Sequence, residues 1–162
     1  MVKKNNNNAE IVSMARKEAL RYLRYRARSE KEMKAYLGKR GYDSQVIEKV
    51  LAELKRQNFI NDEQFCRLYV YDAFRVYHKG PFRIRQELRQ LGISIGTIEK
   101  EIESFLAEND LKEIVKDYLN RHLGNEPLSI KKLEKLKARL YRKGFDPFFL
   151  NEVLREYLEE SH

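Results

Sequence analysis

The sequence has no tryptophan, one cysteine, three prolines and seven glycines among 162 residues. The lone Cys66 excludes an intramolecular disulfide framework and a multi-cysteine zinc site, and fits a reducing compartment. No apolar run approaches the roughly 18 residues of a membrane span. Residues 1–8, two lysines followed by asparagines, contain no apolar signal core. The expectation is a cytoplasmic protein that does not enter a membrane. Few glycines and prolines, with 36% charged residues, favour helices joined by short loops over a β-sandwich or a nucleotide-binding α/β fold. Catalytic motifs are missing too: there is no phosphate-cradling glycine loop, no paired-histidine metal motif and no nucleophile elbow. His78, His122 and His162 are scattered, Glu159 and Glu160 belong to a solvated helix end, and Cys66 beside Phe65 reads as a small core or boundary residue. No catalytic residue, metal or cofactor is therefore expected, and the chain does not read as an enzyme.

What the sequence has is basic charge, unevenly placed. Its formal net charge is +8. Residues 1–60 hold 15 basic and 7 acidic side chains, residues 61–110 hold 7 and 9, and residues 111–162 hold 11 and 9. An excess confined to one segment points to a polyanionic partner, either nucleic acid or an acidic protein surface.

The second positive feature is a repeat. Gly41, Gly92 and Gly144 are spaced 51 and 52 residues apart. Eight residues before each stand Met33, Ile84 and Leu136, and four before stand Leu37, Leu88 and Leu140. Tyr42, Ile93 and Phe145 follow directly. Further on come Ile47, Ile98 and Leu150, then Leu51, Ile102 and Leu154, then Leu54, Phe105 and Tyr157. Offsets of four and seven put these side chains on single helix faces either side of a glycine turn. The turn requires a left-handed residue that ends one helix, and Asp43, Ser94 or Asp146 then caps the next, with Pro147 at a first helical position.

Each repeat also has an upstream helix. In the first, Val12, Ala15, Ala19 and Leu23 form its apolar stripe, and Ser29 to Glu32 is a capping box for the second helix. In the second, Asn61 opens a helix whose stripe is expected at Phe65, Leu68, Tyr69 and Val76, and Gly80-Pro81 restarts the chain. In the third, Asn109-Asp110 precedes Ile114, Val115, Tyr118 and Leu119, and residues 124–129 make the longest break. The pattern predicts an all-α fold of three tandem three-helix repeats stacked into an elongated, curved α-solenoid. The expected divisions are a disordered N-terminal tail over 1–9 and repeats over 10–59, 60–108 and 109–162.

Two basic clusters are the candidate binding sites. Lys17, Arg21, Arg24 and Arg28 fall at offsets of four, seven and eleven, predicting one basic stripe opposite the apolar face of the first helix. Residues 16–40 hold ten basic and three acidic side chains. The second cluster is Lys79, Arg83, Arg85 and Arg89, interleaved with Tyr77 and Phe82, where Ile84, Leu88 and Leu91 turn inward. Both clusters suit phosphates or an acidic protein groove, and both also suit a solvated surface. A base-reading helix-turn-helix fits poorly, because the third helices open Asp43-Ser44-Gln45, Ser94-Ile95-Gly96 and Asp146-Pro147-Phe148 rather than with side chains that read the major groove.

Two stretches carry a resemblance. Residues 19–23 with 26–33, Leu37 and Gly41 resemble the first-repeat signature of RecX-type recombination regulators. Residues 59–65 and 79–88 with Gly92-Ile93 are similar to that family's best-marked stretch. The third repeat matches mainly by pattern, with Lys131-Lys132-Leu133-Glu134-Lys135 where the others have Ser-Glu or Gly-Pro. The resemblance implies a bacterial cytosolic protein that binds the RecA protein in the RecA-DNA filament. There it would restrain strand exchange, ATP hydrolysis and coprotease function in DNA repair and the SOS response, some members also touching single- or double-stranded DNA. On this sequence the positions that match are Arg21, Arg24 and Arg28 in the first repeat and Lys79, Arg83, Arg85 and Arg89 in the second, and Lys17 joins them as a candidate contact from its place on the basic stripe. Separately, no apolar stripe is left over once the repeats stack, so a monomer is expected. The residues alone leave two alternatives: a backbone-directed DNA-binding protein and a helical scaffold for other proteins.

Overall fold

The computed structural model describes residues 2–125 and 127–161. Among them are nine helices and no strand: α1 (Val2–Leu23), α2 (Glu30–Lys39), α3 (Ser44–Arg56), α4 (Asp62–Arg75), α5 (Pro81–Gln90), α6 (Ile95–Glu108), α7 (Leu111–Leu123), α8 (Ile130–Arg142) and α9 (Pro147–Glu160). None of the described helices is long and apolar enough to cross a membrane. The first helix begins at Val2, inside the stretch expected to be a disordered tail over residues 1–9. Asparagine is only a moderately poor helix former, and a helix already nucleated by packing downstream propagates through such residues at small cost.

The glycine turns form as their spacing requires. Gly41, Gly92 and Gly144 have φ of 91°, 84° and 104°, a region that side chains with a Cβ rarely enter. After each turn the cap closes: Asp43 accepts from the Val46 N–H at 2.9 Å, Ser94 from the Thr97 N–H at 3.3 Å, and Asp146 from the Phe148 N–H at 2.7 Å. Of the eighteen apolar positions that define the repeat, all but Tyr42 and Tyr157 are buried. Full burial of one such side chain stabilises by about 1.5–3 kcal/mol, so these positions supply a large share of the core's stabilisation.

The chain divides into two compact units. The first contains α1, α2 and α3, the chain as far as Phe65, and the segment Leu91–Ile93. Ala15 and Ala19 of α1 let that helix approach α3 closely, and Met33, Leu37, Val50 and Leu54 fill the space between the three helices. Ser29 caps α2 with a complete capping box and also donates its hydroxyl to the Leu91 carbonyl at 2.8 Å. The Glu30 N–H donates to Asp62 at 2.9 Å.

The second unit contains Cys66–Gln90 and the chain from Ser94 onward. Its α4 face differs from the expected stripe. Phe65, Cys66, Val70, Ala73 and Phe74 are buried, whereas Leu68 and Val76 are exposed and Tyr69 is half-buried. Phe74 sets the register: its ring is fully buried and stacks on Phe105 of α6 at 4.6 Å, which turns Leu68 and Val76 outward. The turn before α5 rests on the turn after α8, the Phe82 N–H donating to the Gly144 carbonyl at 3.2 Å. His78, buried with φ of 51°, hydrogen-bonds Asp117 of α7 at 2.8 Å.

Candidate partner-binding surfaces

The first basic cluster is built on the outer face of α1. Ala15 and Ala19 point into the core, and the 3.6-residue period therefore carries Lys17 and Arg21 outward, where both are exposed. Neither side chain has an ion-pair or hydrogen-bond partner among the described residues, and the same holds for the side chain of exposed Arg24. The expected four-residue stripe is nevertheless incomplete, because α1 ends at Leu23. Arg24 lies in the turn that follows, its N–H bonded to the Arg21 carbonyl at 3.3 Å, and Arg28 lies in the extended segment entering the Ser29 cap.

Arg28 is not a surface cation. Its side chain is only 12% exposed, its guanidinium lies 3.8 Å over the Tyr22 ring, and Glu32 is 3.9 Å away. Tyr22 in turn stacks on Tyr36 at 3.9 Å with the rings 5° from parallel. Arg26 also hydrogen-bonds Glu32. Burial tends to raise the Glu32 pKa, but the Arg26 hydrogen bond, the Ser29 N–H and the nearby guanidinium charges outweigh it and hold the carboxyl below the usual glutamate range. Arg28 belongs to the joint between α1 and α2.

In the second unit the basic residues are largely matched by acids. Lys79 and Arg83 converge on Glu87, at 2.8 and 2.9 Å, and Tyr69 donates to the same carboxylate. Glu87 is held below the usual glutamate range, since these three donors overcome the burial that would raise it. Arg85 makes a two-point contact to Glu99 of α6, at 2.7 and 3.2 Å. Arg89 is exposed and has no partner among the described residues. Tyr77 and Phe82 are both exposed, so neither is a core residue.

The eight candidate residues thus separate. Lys17, Arg21 and Arg24 in the first unit and Arg89 in the second present uncompensated charge, Lys79, Arg83 and Arg85 are paired, and Arg28 is packed. The neutralising role of Glu87 was half-visible in sequence as an i, i+4 partner of Arg83. Nothing local marks Glu99, Tyr69 or the His78–Asp117 pair. Among the described residues no group of three histidine, cysteine, aspartate or glutamate side chains is placed to hold a metal ion.

Comparison with known proteins bears on these surfaces. A family model described as RecX, first three-helix domain, matches residues 15–54, and one described as RecX, second three-helix domain, matches residues 61–101. Among curated relatives, the Regulatory protein RecX of Oceanobacillus iheyensis is 30% identical over 139 residues, covering 85% of this chain and 51% of that protein. The Regulatory protein RecX of Geobacillus kaustophilus is 31% identical over 149 residues, covering 91% of this chain and 55% of that protein. The chain spans about half the length of these relatives. The crystal structure of RecX from Lactobacillus salivarius is similar with a TM-score of 0.72 and 25% identity, covering 92% of this chain and 97% of that one. A second crystal structure, of regulatory protein RecX, gives a TM-score of 0.71 at 28% identity, with 93% and 74% covered.

Proposed function

The chain belongs to the RecX family, and on that footing we propose that it is a non-catalytic cytoplasmic regulator that binds the RecA recombinase filament. It restrains the filament's strand exchange, ATP hydrolysis and coprotease function in DNA repair and the SOS response. The observation that carries the reading is the trio Lys17, Arg21 and Arg24, exposed and without acidic partners inside the segment that matches the first RecX domain. Cations left uncompensated on a folded surface raise its potential and steer a polyanionic assembly toward it. A RecA-DNA filament, a nucleoprotein polymer that contains DNA phosphates, is an assembly of that kind.

Any DNA contact in this reading goes to phosphate rather than to base edges. The helices that follow the glycine turns begin with Asp43, Ser94 and Asp146, whose side chains already accept from their own helix N–H groups. Sedimentation of the protein with preformed RecA filaments tests the reading. Co-sedimentation of the wild type, reduced by replacing Lys17, Arg21 and Arg24 with alanine, is the expected result. Pelleting with DNA alone, unchanged by adding RecA, would instead favour a backbone-directed DNA-binding protein.

A further inference from the structure

The second unit contains a groove of about 750 Å³ between the N-terminal turn of α5 and the turn joining α8 to α9. Its floor includes buried Phe145 and half-buried Phe149, and Phe82 and Tyr141 form its sides. Phe82 is 73% exposed and Tyr141 is 59% exposed. Large rings scattered singly on a surface need no explanation, but two that flank one apolar floor make a contiguous patch.

The groove is also cationic. Arg142 is exposed and has no ion-pair partner among the described residues. Arg83 uses only its Nε on Glu87, and Arg85, whose Nε and Nη2 are held by Glu99, lies beside it in the lining. The adjacent Lys143 ammonium is pushed below the usual lysine range by burial and then by the Arg83 and Lys79 charges, which reports a positive local potential. The single carboxylate of the lining, Asp146, is committed to the Phe148 and Phe149 N–H groups as a helix cap.

We propose that this groove binds an acidic peptide segment, one apolar side chain of which inserts between Phe82 and Tyr141 while flanking carboxylates engage Arg142 and the outer edges of Arg83 and Arg85. A concave site with an apolar floor and a cationic rim matches an anchor side chain set among carboxylates. A nucleic-acid single strand instead needs a succession of stacking faces along a continuous basic track. The inference goes beyond the filament reading and does not depend on it, because that reading rests on Lys17, Arg21 and Arg24, whereas the groove is tested at Phe82, Tyr141 and Arg142.

The test is fluorescence anisotropy on the full chain, with a labelled peptide of aspartates and glutamates around one central phenylalanine. Saturable, salt-weakened binding is expected. It should fall about tenfold or more in Phe82→Ala, the loss that follows from un-burying one aromatic anchor. It should fall about two- to fivefold in Arg142→Gln, as for one exposed ion pair. Both side chains are exposed, so melting temperatures should stay at the wild-type value, with Tyr141→Ala as a second groove variant should Phe82→Ala misfold. Replacing the peptide's phenylalanine with alanine should abolish the anchored component. Absence of saturable binding, or equal binding by the groove variants, would overturn the proposal. Tighter binding of a short oligothymidylate, lost in those variants, would overturn it in favour of nucleic acid.

Discussion

The backbone N–H of Gly80 donates to the carbonyl of Lys143 at 2.7 Å, so the residue just before α5 sits directly on the end of α8. The Ser29 hydroxyl makes the corresponding contact one repeat earlier, donating to Leu91. In both places the start of a repeat's second helix rests on the glycine turn of the next repeat. A Cβ added to Gly80 would come within 2.3 Å of the Gly144 carbonyl carbon, a backbone atom that cannot swing aside. Gly80→Ala should therefore destabilise by about 1–3 kcal/mol, as overpacking of a tight joint does. Thermal unfolding should show this as a fall of about 2–4 °C per kcal/mol.

The glycine turns themselves differ in what they tolerate. Gly41 has a left-handed φ but open space where a Cβ would go, whereas a Cβ on Gly144 would meet the Arg83 backbone nitrogen at 2.5 Å. Gly41→Ala should cost about 1–2 kcal/mol, the price of a left-handed L-residue. Gly144→Ala should cost more, because steric conflict adds to the same conformational strain. Urea unfolding of the two variants side by side checks the order.

Much of this was legible in the sequence because it depends on spacing. The period of 51 and 52 residues locates the turns, and offsets of four and seven locate the buried faces. The α4 face was not legible, because Phe74 packing on Phe105 sets its rotation through a partner distant in sequence. Nor was the fate of Arg28. A regular offset from Lys17 continues a helix on paper, but the Ser29 capping box starts a new one, and the chain between them turns Arg28 onto Tyr22. The groove beside Phe82 was hidden for the same reason, since Tyr141 and Arg142 join it only through folding.

That difference separates binding from stability within one basic cluster. Replacing Lys17, Arg21 and Arg24 with alanine should leave the melting temperature within about 2 °C of wild type, since exposed unpaired cations contribute little to folding, while filament binding falls. Arg28→Ala should do the reverse. It removes the cation from the Tyr22 ring and part of the charge that holds Glu32, at a cost of about 1–2 kcal/mol. Circular-dichroism melts and co-sedimentation on the two variants distinguish the roles.

Acid should weaken the fold through Glu32 and Glu87. Both carboxyls titrate lower in the folded chain than in the unfolded one, because hydrogen bonds from Arg26, and from Lys79, Tyr69 and Arg83, exceed the opposing effect of burial. Their stabilisation is complete above the unfolded glutamate pKa of about 4.3 and is lost as pH falls through the lower folded values. Asp62 acts in the opposite sense, since burial raises its pKa and the Glu30 N–H that lowers it does not offset this. Urea midpoints should therefore hold steady near neutrality and drop below about pH 4, and Glu87→Gln should make that drop shallower while lowering stability at pH 7.

Regulation of the filament is read out by RecA ATP hydrolysis on single-stranded DNA with this protein titrated in, the cognate recombinase being used at low salt. Inhibition by sub-stoichiometric amounts, weakened when Lys17, Arg21 and Arg24 are replaced with alanine, is the predicted result. Undiminished hydrolysis at stoichiometric excess, with no protein pelleting alongside the filaments, would rule out a filament regulator.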